Sequence, residues 1–470
     1  MATPFPFELL LAFAAMGICM CLGVLIRAKV TFFQKYLVPG SLIASFLGVI
    51  AFNIANSYLG GFPVSAATFQ AIAYHLFVIS FVSIGLTAVT KAGSSVGAAK
   101  QVTQGAAWLG IVNIFSMSTQ ILLGLGLAAL LGMIGFELHD NFGYLLSLGF
   151  TQGPGQALAL GGNWEEHAGF THGVNLALTF ASLGFVFCYF IGVPLANFGV
   201  RRGIASCSDG IVPEYVQRGL HRDGEEEESA GQMPMHTGNI DSFAFQFSMI
   251  GLVYAITYFF MYLVSTHIVE ITAGWGFFFC WALLVSFCVQ FVMRRLKIFH
   301  LMDSGIQRRI SGFAVDFLVV ATTFSISLAD VWQYSVPILV LCFVGAAWTL
   351  GFGYYFGRRM HTLGFERMVV LCGANIGTMA SGLLLLRIVD PAYRTTVSAE
   401  CGAFVMFSMP GIIALMVLMQ YGGSLGLTIW ALAGIYAAIS VICLVLLKAL
   451  GFLGTPQDWS GKKLSPKGNA

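Results

Sequence analysis

The sequence predicts an all-α polytopic membrane protein: two inverted five-helix repeats, each with a re-entrant glycine-rich loop, plus one extra C-terminal span, about 11 transmembrane helices in all. Three observations carry that expectation. Residues are 57% hydrophobic and only 9% charged, with a mean hydropathy of +0.83, whereas soluble domains are about 25% charged. Apolar runs of spanning length follow one another along the chain. Two of the gaps between them are filled by glycine-rich segments in corresponding positions.

A bilayer core of about 30 Å needs roughly 20 apolar residues per helix. On that ruler the first half holds spans at 7–26, 38–55, 67–89, 106–134 and 174–198. The second half holds spans at 245–264, 274–293, 312–329, 336–356, 398–420 and 425–447. The N-terminal run has neither the basic flank nor the cleavage site of a signal peptide, so it reads as a first span.

Orientation follows from the basic residues, because positively charged loops stay in the cytoplasm. Arg27, Lys29 and Lys35 follow the first span, Lys91 and Lys100 the third, and Arg201 and Arg202 the fifth. Arg294, Arg295 and Lys297 follow the seventh, and Arg358 and Arg359 the ninth. The intervening loops carry Glu137, Asp140, Glu270 or Asp330 and neither Lys nor Arg. That places the N-terminus outside and the tail, with Lys462, Lys463 and Lys467, inside.

This alternation holds only if GFTQGPGQALALGG, from Gly149 to Gly162, enters and leaves on the outer side. VVLCGANIGTMASGLLLLR, from Val369 to Arg387, obeys the opposite rule, with Arg367 before it and Arg387 or Arg394 after it. Two re-entrant loops, 143–165 and 367–390, result. Non-helical backbone at membrane depth is tolerated only where protein or a water-filled cavity satisfies it. The halves also match weakly: FVSIGL at Phe81 lies on TFSISL at Thr323, and GFTQGPGQALA on GANIGTMASGL. A unit with an odd number of crossings must be repeated upside down, and interrupted segments in matching places of inverted repeats point to a secondary transporter.

The organisation is then a repeat over 1–200, a polar cytoplasmic linker over 201–240 with DGEEEES at its centre, the inverted repeat over 241–422, the extra helix over 423–450 and a tail over 451–470. The glutamate run lacks EF-hand spacing and reads as a solvated tether. Ten cysteines without a CxxC pair read as inert buried thiols. A net charge of +2 implies no nucleic-acid partner. Absence of HExxH, GxSxG or P-loop patterns argues against an enzyme.

Broken helices expose amides and carbonyls, and Gly153, Pro154 and Gly155 are residues that permit a break. Amides at helix N-termini suit a carboxylate, and unwound carbonyls suit sodium. Thr151, Gln152, Gln156, Asn375, Gly377, Thr378 and Ser381 sit beside those ends. His75, Asp316 and Glu400 are the ionisable residues inside spans, and each is a functional candidate for that reason. Asp316 is either an ion ligand or a partner of Arg308 or Arg309; Glu400 is either an ion ligand or a partner of Arg394. His75 reads as a hydrogen-bonded packing residue. Arg387, at the end of the second interrupted segment, offers a bidentate cation for a carboxylate. Asn113, Ser116, Ser118, Thr119 and Gln120 make the fourth span polar, as a path lining or as a hydrogen-bonded seam.

Three stretches carry a family resemblance: Gln152-Gly153-Pro154-Gly155, Cys372-Gly373-Ala374-Asn375-Ile376-Gly377, and YLVPGSLIASFLG from Tyr36. The chain resembles the bacterial sodium/glutamate symporter family over nearly its whole length. The departures are Gln152 where members carry histidine, Asn375 where they carry a further glycine, and the extra last span. The resemblance implies sodium-coupled import of L-glutamate or a closely related acidic amino acid by alternating access, in a homodimer whose loop-bearing bundle moves past a fixed scaffold, elevator-fashion. It places the protein in the bacterial inner membrane. The expected substrate site is Thr151, Gln152, Gly153, Gly155, Gln156, Asn375, Gly377, Thr378, Ser381 and Arg387. The expected sodium ligands are Gly153, Asn375, Asp316 and Glu400. A sodium- or proton-coupled dicarboxylate or organic-anion symporter, and an ion channel, are the competing classes. Sparse acidic residues in the spans favour sodium, which neutral oxygens can hold, over protons, which need a titratable carrier.

Overall fold

The computed structural model describes residues 7–87, 96–207, 214–220, 231–236, 238–267, 275, 277–391 and 394–459. The DGEEEES run, Lys91, Glu270, Lys462, Lys463 and Lys467 lie outside the described residues. Among the described residues the regular structure is helical, without a strand. The first-half helices are α1 (Glu8–Lys29), α2 (Gly40–Tyr58), α3 (Ala66–Leu86), α4 (Val96–Met133), α5 (Pro154–His167) and α6 (Gly173–Arg201). The second half holds α7 (Ser242–His267), α8 (Phe278–Arg295), α9 (Ser304–Phe324), α10 (Ser335–Gly357), α11 (Gly364–Ile376), α12 (Met379–Val389), α13 (Val397–Ala403), α14 (Val405–Tyr421) and α15 (Ile429–Ala449).

The helices start where local chemistry satisfies their free amides. Ser65 caps α3 through the Thr68 amide at 3.2 Å, Asp303 caps α9 through Ile306 at 2.7 Å, and Thr428 caps α15 through Ala431 at 3.2 Å. Leu9, Phe259, Phe343 and Ile442 are exposed on the outer surface, as a lipid-facing belt requires.

Nine described helices are long and apolar enough to cross a membrane, or ten if α13 and α14, bent by 44°, form one span. The expected count of about 11 is reduced by α9. It is helical over 21 residues, eight residues earlier than expected because Asp303 caps it, and it carries Arg308, Arg309 and Asp316.

Packing divides the helices into two groups. One holds α1, α2, α3, α7, α8 and α9, with α3 against α9 its most extensive contact. The other is built around α4, α6, α10, α11 and α12, with α13, α14 and α15 laid on α4. Each half of the chain thus gives its first three helices to one group and the rest to the other. α5 touches α3 and α9 of the first group while packing mainly on α6 of the second.

Candidate functional site

Two helix breaks meet at the centre of the second group. Before the first, residues Asp140–Tyr144, Leu145–Ser147 and Leu148–Gln152 wind successively as 3-10, α and π turns. Gly153 then takes φ +79°, a left-handed value that disfavours a side chain. Pro154 opens α5 at a position whose amide has no helical partner in any case. Gly155 is glycine for a different reason than expected: its conformation is ordinary helix, but a Cβ there would collide with the Phe77 ring of α3.

At the second break α11 stops at Ile376, and Gly377 takes φ −128°, ψ −104°. Thr378 caps α12, its hydroxyl accepting from the Ser381 amide at 3.5 Å. A Cβ on Gly153 would stand 3.1 Å from Thr378 Cγ2 and 3.6 Å from the Gly377 carbonyl oxygen. Gly184 of α6 makes the approach possible: a Cβ there would collide with the Ile376 carbonyl oxygen and lie 3.4 Å from that of Gly149. Four helix ends therefore converge. Those at Gln152 and Ile376 present carbonyls with partial negative charge; the start of α5 presents the Gly155 and Gln156 amides, Pro154 having none, and the start of α12 presents its own, both with partial positive charge.

The polar residues of α4 form a hydrogen-bonded seam onto both breaks. Asn113 Nδ2 donates to Asn375 Oδ1 at 2.6 Å. Gln120 Nε2 donates to the Asn375 carbonyl at 3.0 Å and to Thr349 Oγ1 at 2.9 Å, while Gln120 Oε1 accepts from the Thr151 hydroxyl. Ser116 Oγ stands 3.4 Å from Thr151 Oγ1, and Ser118 Oγ is 2.8 Å from Ser440 Oγ of α15. Trp348 Nε1 donates to Thr119 Oγ1 at 3.0 Å. Asn375 is fully buried, and its Nδ2 has no acceptor.

The remaining expected residues divide. Gln152 donates to Met117 Sδ at 3.3 Å, Gln156 is buried in the first turn of α5, and Ser381 Oγ lies 3.0 Å from the Tyr189 hydroxyl of α6. Arg387 is not brought in: it sits nine residues beyond Thr378, about 13 Å along α12. Glu400 is held elsewhere too. Its carboxylate forms a bidentate pair with Arg367, at 2.7 Å from Nε and 2.6 Å from Nη2, rather than with Arg394. Glu400 lies against Gly105, eight residues and about 12 Å along α4 from Asn113. Asp316 is exposed on α9, with no ion pair to Arg308 or Arg309 among the described residues. His75 Nδ1 pairs with the Tyr254 hydroxyl as a packing residue would. Among the described residues no group of three or more His, Cys, Asp or Glu is placed to hold a metal ion.

Thr349, Gly184 and Tyr189 join the site without any warning in the sequence, since each is a single small or polar residue in an apolar run. Gln120 gave a partial signal, through its spacing from Asn113 and Ser116 on one face of α4.

The family model described as sodium/glutamate symporter matches residues 5–383, including both breaks and the whole of the seam on α4. No curated protein matches the chain.

Proposed function

The chain belongs to the sodium/glutamate symporter family, which implies sodium-coupled glutamate transport by a multi-pass membrane protein, and we propose that the two helix breaks are where substrate and ion are carried. The observation behind this reading is the approach of Gly153 to Thr378. It brings two amide-bearing and two carbonyl-bearing helix ends together beside the polar seam of α4. The amide ends of α5 and α12, with Gln152, Gln156, Thr378 and Ser381, hold the substrate carboxylates. Asn375 Nδ2, a buried donor without an acceptor, is satisfied by a carboxylate oxygen. The carbonyl ends at Gln152 and Ile376 hold sodium.

Alternating access is supported by the division of the helices. Both breaks lie in one group, and among the described residues α5 and α6 make its main contacts with the other. In the elevator form of this proposal the group carrying the breaks slides past α1, α2, α3, α7, α8 and α9. The contribution of three leading helices from each half to one group supports an inverted repeat, with Gly153 and Thr378 at the tips of loops entering from opposite faces. A homodimer in a bacterial inner membrane, N-terminus outside, completes the proposal. Glutamate carries one negative charge, and moving it inward against an inside-negative potential costs about 2.3 kcal/mol per 100 mV. Two or more sodium ions per glutamate make the potential favour import.

The test is uptake by proteoliposomes containing the full chain, loaded with cold L-glutamate and facing labelled L-glutamate across a sodium gradient. Net accumulation against the glutamate gradient, stimulated by an inside-negative potential imposed with valinomycin, is expected. Equilibration without accumulation would instead make the protein a passive pore. Accumulation driven by a pH gradient without sodium would replace the coupling ion by protons, and preference for a dicarboxylate over L-glutamate would replace the substrate.

A further inference from the structure

Proton accounting along the α4 seam fixes the orientation of one hydroxyl at the first break. Thr349 Oγ1 donates its single proton to the Gly345 carbonyl at 2.8 Å, since a carbonyl oxygen accepts only. Thr349 Oγ1 must then accept from Gln120 Nε2. The second Nε2 proton goes to the Asn375 carbonyl, another obligate acceptor. The Gln120 amide is thereby locked with Oε1 toward Thr151. Oε1 has no proton to give, so the Thr151 hydroxyl spends its only proton on Gln120. Its lone pairs face away from Gln120, one toward the Ser116 hydroxyl, which can only donate to it at a long 3.4 Å, and the other left over near the carbonyl-bearing end of the π turn Leu148–Gln152, two residues before Gly153.

We infer that Thr151 Oγ1 is a ligand of the transported sodium ion and that Gln120 is the positioning residue that fixes its lone pairs toward the ion. The inference rests on the sodium-coupled reading above and adds a named side-chain ligand and its support. Thr151 is nearly buried, at 8% exposure, so the lone pair that Ser116 does not reach has little water to satisfy it. The Asn375 carbonyl, which also accepts from Gln120, keeps a second lone pair for a cation. Gln120 touches no transported species; it joins the end of the first break to the end of the second through two hydrogen bonds. Partners that orient a ligand in this way commonly contribute 10–100-fold to metal affinity.

Binding of 22Na+ to the purified full-length protein, and the sodium dependence of glutamate uptake, test the assignment. Thr151→Val removes the lone pairs with little change of shape and is expected to raise the sodium half-saturation about tenfold or more, with the glutamate KM at saturating sodium within about threefold. Thr151→Ser keeps the hydroxyl and should remain within about twofold of wild type. Gln120→Met should raise the sodium constant about tenfold and add little to Thr151→Val, because both remove the same oriented oxygen. Should Thr151→Val fail to fold, Thr151→Ala serves as the second variant without a hydroxyl. A wild-type sodium constant in the hydroxyl-less variant, or effects of the two substitutions that simply multiply, overturns the assignment. Wild-type protein that neither binds 22Na+ nor takes up glutamate overturns the sodium-coupled reading itself, a separate and recognisable result.

Discussion

Arg367 and Glu400 form a two-pronged ion pair, at 2.7 and 2.6 Å, with both side chains at most 1% exposed. Arg367 Nη1 also donates to the Thr362 carbonyl, and the Thr396 hydroxyl donates to Glu400 at 2.7 Å. The pair ties α11, which leads into the second break, to α13. Both oxygens of the carboxylate are engaged by protein, Oε2 by Arg367 and Oε1 by Arg367 and Thr396.

Glu400→Ala strands a buried guanidinium and is expected to cost about 3–5 kcal/mol. Thermal unfolding in detergent should show that loss, while the folded fraction keeps its sodium half-saturation within about twofold. Unaltered melting together with a weakened sodium constant would return Glu400 to the ion site.

Gly153 and Gly155 should fail for different reasons. Gly153→Ala puts a side chain at φ +79° and against Thr378, a strain of about 1–3 kcal/mol where the two breaks meet. Uptake should fall at least tenfold, whatever is done to neighbouring side chains. Gly155→Ala drives a methyl into Phe77, an overpacking of about 1–3 kcal/mol. Phe77→Leu should restore uptake in the Gly155→Ala protein and leave Gly153→Ala unrepaired. Rescue of both, or of neither, would mean that the two glycines serve one purpose.

Asn375 and Arg387 are distinguished by distance from the breaks. Asn375→Ala removes a buried donor and leaves Asn113 Nδ2 without its 2.6 Å partner. A hydrogen bond to a charged group is worth about 1.5–3 kcal/mol, so the glutamate KM should rise roughly tenfold or more. Arg387→Gln, at the far end of α12, should leave the KM within about twofold. The reverse ranking in uptake kinetics would move the carboxylate site to Arg387.

Both breaks were legible because glycine and proline interrupt an apolar run for reasons of backbone geometry, and Gly153 carries that signal by itself. What no local pattern carries is the partner of a side chain. Nearness in sequence offers Arg394 as a partner for Glu400 beside an ion-ligand role, while the structure pairs it with Arg367, 33 residues away. Gln120 bonds to Thr151 across 31 residues and to Asn375 across 255, so its polarity was visible and its purpose was not. Hydropathy hides the start of α9 because its first turns are basic, although the Asp303 cap begins the helix before them. Gly155 reads in sequence as a helix breaker, whereas its role, clearing the Phe77 ring, exists only in three dimensions.

Sidedness follows from the re-entrant reading. Glu166, 79% exposed at the end of α5, should react as Glu166→Cys with an impermeant thiol reagent added outside. Arg359→Cys, beyond α10, should react only from inside. Labelling of the Glu166→Cys protein from the cytoplasmic side alone would mean that the first interrupted segment crosses the membrane.

The most direct measurement of the central claim, that glutamate and sodium meet where the two breaks touch, is ligand protection beside Thr378. Ala380, in the first turn of α12, is exposed and small. An Ala380→Cys protein lacking the accessible Cys21, Cys207 and Cys288 can be followed by its rate of modification with a small methanethiosulfonate reagent. L-glutamate should slow that rate severalfold in sodium and have no effect when choline replaces sodium. A rate indifferent to glutamate in sodium, in protein that still takes up glutamate, would contradict the account and place the site elsewhere.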